Sequence, residues 1–296
     1  MLSLRSEAPK VTLTKWFSSP IDNAVATART CYSSRVVTDD DVKKNLPLRD
    51  RIALSTFKAG HHTTLQHAHF QFAIESVSRQ ALWSFFHAHP FYNSEQVSQR
   101  YVEVKAGRVL KPDLSTWGAA LNARWDAIVE RQMRVYHELI ELLLPTVERL
   151  YFGIFPARQR DPQKGEGDVD KRWRGSMQKR AQEVARYVLP IATHAHLYHT
   201  ISALTLLRYH RLADTHDCPT EQRLVVEQMV QAVLAVDPDF AILLEPRLEL
   251  HDTPDARAMA ALGRHRVDVA MTRELVQEFD AALECRTSKL VSMTEQ

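Results

Sequence analysis

Between residues 115 and 150 an apolar side chain returns every three, four or seven positions, at Leu121, Trp125, Ile128, Val135, Leu139 and Leu143. That period predicts one long amphipathic helix, whose apolar face needs a core or a neighbouring subunit to cover it. Strands are fewer and come earlier. Lys10–Trp16 reads as a short strand. Residues 68–75 alternate, with Phe70, Phe72 and Ile74 on one side and His69, Gln71 and Glu75 on the other, the period of a half-buried strand. Strands early and helices late predict an α+β fold in a single domain.

The remaining segments follow from local signals. Ser18, Ser19 and Pro20 suit the start of a helix over 21–32, and a second helix over 48–59 is stopped by Gly60. A short helix is predicted over 78–86, with Pro90 closing it. Residues 91–104 read as a polar loop passing into a strand that ends at residues 101–104. Two helices are predicted over 178–188 and 191–213, another starting near 217–221, and a helical C-terminal extension over 246–296. Residues 159–174 are polar, charged and glycine-containing, the composition of a mobile surface loop.

The charge balance, 38 basic against 36 acidic residues, leaves a formal net charge of +2 and no global field to attract nucleic acid or an acidic membrane. Any anionic ligand must be gripped locally. The apolar runs are too short to span a bilayer and the N-terminus lacks a signal peptide's apolar core, so a cytoplasmic protein is expected. Cys31, Cys218 and Cys285 are widely spaced, without a disulfide framework or a C-x-x-C pair, and read as reduced thiols. Of the 14 histidines, 11 bunch in 60–89 and 193–216.

One local grip is legible from chemistry alone. Ser98-Gln99-Arg100 combines a hydroxyl, backbone N–H groups and a guanidinium fork, the donors that a phosphate needs.

Four collinear blocks carry a family likeness: Ala28-Arg29-Thr30-Cys31-Tyr32-Ser33-Ser34; His61-His62-Thr63-Thr64-Leu65-Gln66-His67 followed by Phe70-Gln71-Phe72; residues 93–101, Asn-Ser-Glu-Gln-Val-Ser-Gln-Arg-Tyr; and Ala185-Arg186-Tyr187-Val188-Leu189-Pro190. Together they resemble the flavin-dependent thymidylate synthases over roughly residues 10–240. The resemblance implies a twisted, mostly antiparallel sheet with long flanking helices. It also implies a homotetramer that binds FAD and deoxyuridine monophosphate (dUMP) at subunit contacts. The implied reaction moves a one-carbon unit from methylenetetrahydrofolate to C5 of dUMP and gives dTMP, with NADPH as reductant and no attacking enzyme cysteine.

Residue by residue, the resemblance places Glu95, Ser98, Gln99, Arg100, Arg186 and Arg211 against the nucleotide. Arg211, with Arg208 as runner-up, polarises the pyrimidine in this alignment, where a cation would stabilise charge developing on the ring. Cys31, Thr63, Gln66, His87, His89, Asn93, Glu95 and Ser202 fall at flavin-contacting positions.

The chain departs from the family at several of these places. His87-Ala88-His89 stands where the family carries Arg-His-Arg, with Pro90 inserted behind it, so two fixed cations become two titratable imidazoles. Gln66 replaces a glutamate, and Ser202 and Leu204 replace polar or basic residues. The histidines then offer a rival reading. His67 and His69 on one strand face, with His87 and His89 and a nearby Glu75 or Glu95, would form a zinc or iron site; His196 and His199 would share a helix face. Three functions compete: a flavoenzyme methylating a uracil nucleotide, an enzyme of this fold with changed or metal-assisted pyrimidine chemistry, and a non-catalytic nucleotide-binding relative.

Overall fold

A computed structural model describes residues 3–88, 92–159, 166–215, 220–262 and 269–289. Contacts divide the chain into two units, Met1–Leu248 and Glu249–Gln296. In the first, β1 (Lys10–Trp16) leads into α1 (Pro20–Thr30), α2 (Asp39–Lys43) and α3 (Leu46–Lys58). Then come β2 (His69–Ser78), α4 (Arg79–Ala88), β3 (Tyr92–Gln96), α5 (Leu121–Ile154), α6 (Pro156–Gln159) and α7 (Glu166–Ala185). β4 (His194–Ser202), α8 (Ala203–Arg211) and α9 (Thr220–Val236) complete it. The second unit holds α10 (Pro254–Leu262) and α11 (Val269–Leu283). No helix of the described residues is long and apolar enough to cross a membrane.

The four strands form one antiparallel sheet in the order β1-β2-β4-β3. Alternation decides which face is covered. Phe70, Phe72 and Ile74 of β2 and Ala195, Leu197, His199 and Ile201 of β4 turn inward, and join α1, α4, α8 and α9 in the main core. Gln71, Tyr198, Asn93 and Glu95 turn the other way, paired across the sheet as Gln71↔Thr200, Asn93↔Thr200 and Glu95↔Tyr198. A second core lies along α5, where Val129, Met133, Tyr136 and Ile140 pack with Ala181 and Ala185 of α7 and with Val109 and Leu110.

The structure corrects several expectations. Residues 191–213 are not one helix but β4 followed by α8. The inward side chains Leu197 and Ile201 stand four apart and continue through Leu204 and Leu207, so strand and helix together mimic a helical row. His196 and His199 therefore lie on opposite faces, His196 exposed and His199 buried. The expected strand at 101–104 is a turn and loop, with Tyr101 and Val102 exposed, whereas the polar Tyr92–Gln96 pairs with β4. Strand formation follows the available backbone partner more than the side-chain type. Within the expected loop 159–174, residues 160–165 lie outside the described residues, while the chain from Glu166 onward is helical. Its many charged residues are good helix formers, and α7 gains stability by docking on α5. The stripe on α5 also differs from the one expected: Ile128 is exposed, and Val129 and Met133 take the core.

Candidate active site

The site begins where β2 hands over to α4. Ser78 ends the strand, and its hydroxyl accepts the N–H of Ala81 at 3.1 Å, capping the helix. The backbone N–H of Ser78 donates to the buried carboxylate of Glu221 at 2.6 Å, and its hydroxyl bonds the second oxygen of the same group. Burial pushes the Glu221 carboxyl up from the usual range, against the lowering effect of these two bonds. The first helical residue, Arg79, is thereby held at one height.

Arg79 reaches across to the end of β3, donating from Nη1 to Gln96 Oε1 at 2.6 Å and from Nη2 to the Val97 carbonyl at 2.7 Å. Its Nε is buried and has no partner. Arg186 arrives from the single 3-10 turn that follows α7, fixed by a 3.1 Å bond from Nε to the Glu183 carbonyl. Between the two guanidiniums is a cleft of about 390 Å³, lined also by Ser98 and Gln99 and closed by residues 189–191. No carboxylate is among its lining residues. The loop that supplies Ser98 is braced: Ser98 Oγ accepts the Arg100 N–H at 3.3 Å, and Gln182 of α7 donates to the Gln99 carbonyl at 3.1 Å.

Thus Ser98, Gln99 and Arg186 converge as the motif reading expected, but Arg100 does not join them in the lining. Its guanidinium is half-exposed, sits 3.5 Å from Glu183 and lies over the Tyr101 ring at 5.4 Å. Arg79 escaped the sequence reading. Its signal was a basic residue in the first turn of a helix, where the macrodipole disfavours a cation. An adjoining pocket of about 440 Å³ shares the walls Val97 and Gln99 and contains His194, whose two ring nitrogens are buried without hydrogen bonds.

A separate cleft of about 800 Å³ gathers Cys31 and Thr63 with Arg29, Tyr32, Arg35 and His61. α1 ends into this cleft, and the 3-10 turn His62–Gln66 forms its far side. Arg35 is paired with Asp41 at 2.7 Å, and Arg29 donates to the Asp41 carbonyl at 3.4 Å.

The model of the family described as thymidylate synthase complementing protein matches residues 12–239, which include both clefts. The chain belongs to this family of flavin-dependent thymidylate synthases. Two flavin-dependent thymidylate synthases, from Nitratidesulfovibrio vulgaris and Clostridium tetani, are each 25% identical to it. The first alignment covers 78% of this chain and 85% of the relative, and the second 78% and 84%. A solved structure of a UMP/dUMP methylase, PolB from Streptomyces cacaoi, bound with 5-Br dUMP, aligns with a TM-score of 0.54 at 19% identity. That alignment covers 81% of this chain and 95% of the methylase. At such identity the likeness shows the fold.

Within this thymidylate synthase fold the other expected site residues are scattered. Asn93 and Glu95 are exposed on β3. Gln66 is exposed at the end of its turn, and Ser202 is buried as the N-cap of α8, accepting the Thr205 N–H at 3.3 Å. Arg208 and Arg211 stand near the end of α8, outside the cleft lining. Arg211 donates to the Pro246 carbonyl at 2.8 Å and pairs with Glu245 at 3.3 Å. His87 stacks on Trp83 with ring centroids 4.5 Å apart, and its Nδ1 lies 2.6 Å from the Trp83 carbonyl oxygen. His89 lies outside the described residues.

The metal alternative also meets the geometry. β2 starts at His69, so His67 precedes the strand instead of sharing its face. Among the described residues no three His, Cys, Asp or Glu side chains are placed to hold a metal ion. His199 is core: fully buried, bonded to Ser94 Oγ through Nδ1, and 3.3 Å from the Tyr209 hydroxyl through Nε2. Burial pushes its pKa down to about 3, which keeps the imidazole neutral.

Proposed function

We propose that this enzyme methylates C5 of a uracil nucleotide, with dUMP to dTMP as the principal reaction. The cleft lined by Ser98, Gln99 and Arg186, which has cations but no carboxylate, carries the reading. A phosphate monoester seated there would take the Ser98 hydroxyl, backbone donors of the 98–100 loop and the Arg186 fork, with Arg100 as an outer cation. Glu95 would contact the sugar side of the nucleotide. Arg211, or Arg208, would polarise the pyrimidine from a second subunit of a homotetramer, since in one chain neither lines this cleft.

The second cleft suits the cofactor by its donor set. Arginine forks, hydroxyls and a tyrosine face match the needs of a dinucleotide's pyrophosphate and rings. Cys31 and Thr63 would hold FAD there, with Gln66, His87, His89, Asn93, Glu95 and Ser202 contributing through the assembled tetramer. When bound, FAD supplies the hydride that turns a transferred methylene into a methyl group. Methylenetetrahydrofolate and NADPH are the proposed co-substrates, and the cytoplasm the proposed location.

A second reading keeps the nucleotide grip and changes the cofactor chemistry. Its supporting observation is His87, an exposed imidazole stacked on Trp83 where the family has an arginine.

The test is direct. The purified protein, supplied with FAD, should turn yellow, bind dUMP, and form dTMP with methylenetetrahydrofolate and NADPH; UMP should be assayed beside dUMP because the aligned methylase is named for both. A protein that stays colourless but binds dUMP would support the second reading. Loss of both flavin and nucleotide binding would sink the first.

A further inference from the structure

Arg79 is partly buried, with its Nε closed off from solvent, yet no carboxylate among the described residues stands beside it. Among the described residues neither Arg79 nor Arg186 takes part in an ion pair, while other arginines nearby, such as Arg100 and Arg180, each pair with Glu183. The Arg79 fork is satisfied only by neutral oxygens, those of Gln96 and Val97, and its Nε by nothing. Burial, with the charge of Arg186 next, pulls the guanidinium down from its usual range. Two like charges facing one cleft repel, and Arg79, partly withdrawn from water, has no counter-charge to offset its burial. Such an arrangement is stable when an anion completes it.

We infer that Arg79 is a phosphate-binding residue of the nucleotide cleft: with Arg186 it forms a two-guanidinium clamp that selects a phosphate dianion over the uncharged nucleoside. The assignment rests on reading the cleft as the nucleotide site, and adds a residue to which no role has been given. It also moves the weight of the grip inward, from the exposed Arg100, paired with Glu183, to two arginines that have no carboxylate partner among the described residues. Nη1 and Nη2 each give one N–H to the end of β3, which leaves the second N–H of each for the ligand. An anion in the cleft would therefore give Arg79 its counter-charge without breaking its contacts to Gln96 and Val97.

The experiment is calorimetric titration of the full-length protein with dUMP, deoxyuridine and inorganic phosphate, using wild type, Arg79→Gln and Arg79→Lys. Wild type should bind dUMP more tightly than deoxyuridine and should bind phosphate as a competitor of dUMP. Arg79→Gln should weaken dUMP and phosphate by at least about thirtyfold, in the range for removing one partner of a buried charge contact, and change deoxyuridine affinity by no more than about twofold. Should Arg79→Gln fail to fold, Arg79→Lys, which keeps one charge but loses the fork, carries the test with an expected loss of about tenfold for dUMP alone. Unchanged dUMP affinity, or equal losses for dUMP and deoxyuridine, would overturn the assignment and leave the cleft's function standing. If wild type does not distinguish dUMP from deoxyuridine, the nucleotide-site reading itself fails.

Discussion

Glu221 of α9 holds Ser78 twice, accepting its backbone N–H at 2.6 Å and its hydroxyl on the other carboxylate oxygen. The pair joins the far end of the core to the residue that caps α4, and so sets where Arg79 enters the cleft. A carboxyl raised by burial binds its proton more tightly in the folded chain than in the unfolded one. Its contribution is therefore most favourable below the unfolded value of 4.5 and is lost as pH rises through the folded pKa.

Glu221→Gln should remove that loss. The expected outcome is a variant destabilised by about 1–2 kcal/mol at low pH, where a charge-free substitute forfeits bond geometry, with the gap narrowing as pH rises from 4.5 towards neutrality. Urea midpoints of both proteins at a series of pH values measure it. A gap that widens over the same interval would show that the ionised carboxylate is the stabilising form.

His199 works in the opposite sense. Its pKa falls from 6.5 to about 3 on burial, so the unfolded chain takes up a proton that the folded chain refuses. The stability it contributes is complete above 6.5 and disappears as pH falls towards 3, on the order of a few kcal/mol over the whole range. His199→Gln should lower stability at pH 7.5 by loosening the contacts to Ser94 and Tyr209, yet flatten the decline between pH 6.5 and 4. Thermal melts across that range check both halves, and an equally steep decline in the variant would remove His199 as the acid-sensitive group.

The two arginines of the nucleotide motif should separate in binding. Arg186 lines the cleft without a carboxylate partner, whereas Arg100 is half-exposed beside Glu183. Screening by water limits an exposed cation to a small share of the affinity. Arg186→Ala should weaken dUMP binding by at least about thirtyfold and Arg100→Ala by about threefold to fivefold. Titration at matched salt decides the ranking, and a reversed order would return the grip to the outer loop.

Much of this fold was legible because single elements carried their own period. The bounds of β1 are legible, and so are the buried Phe70, Phe72 and Ile74 of β2, because residues 69–75 alternate strictly before the register shift that follows Ile74. β4 was lost because His199, a polar type, occupies an inward position and hides the alternation, while Leu197, Ile201 and Leu204 imitate a helix. The phosphate grip was half legible. Ser98, Gln99 and Arg186 sit in recognisable motifs, but Arg79 precedes them by nineteen positions or more in sequence and meets them only through the β2-to-α4 turn. Pairings such as Arg100 with Glu183, or Arg211 with Glu245, depend on tertiary neighbours that no local pattern announces.

Cys31 gives a test of the second cleft that is independent of turnover. Its thiol is exposed and lines the cleft beside Thr63, Arg29 and Arg35. A ligand filling that space would cover it. In the full-length protein, treatment with iodoacetamide followed by peptide mapping should show Cys31 alkylated at least about fivefold more slowly once FAD is added, by the mass-action protection expected of a saturating ligand. Cys285, exposed in the C-terminal unit, serves as the internal control and should react at an unchanged rate. Prior alkylation of Cys31 should in turn block FAD uptake, because the added carboxamidomethyl group occupies the same volume. Equal reaction of both thiols with and without FAD, in a protein that demonstrably binds the flavin, would place the flavin outside this cleft and transfer the cofactor assignment to the residues on β3 and α4.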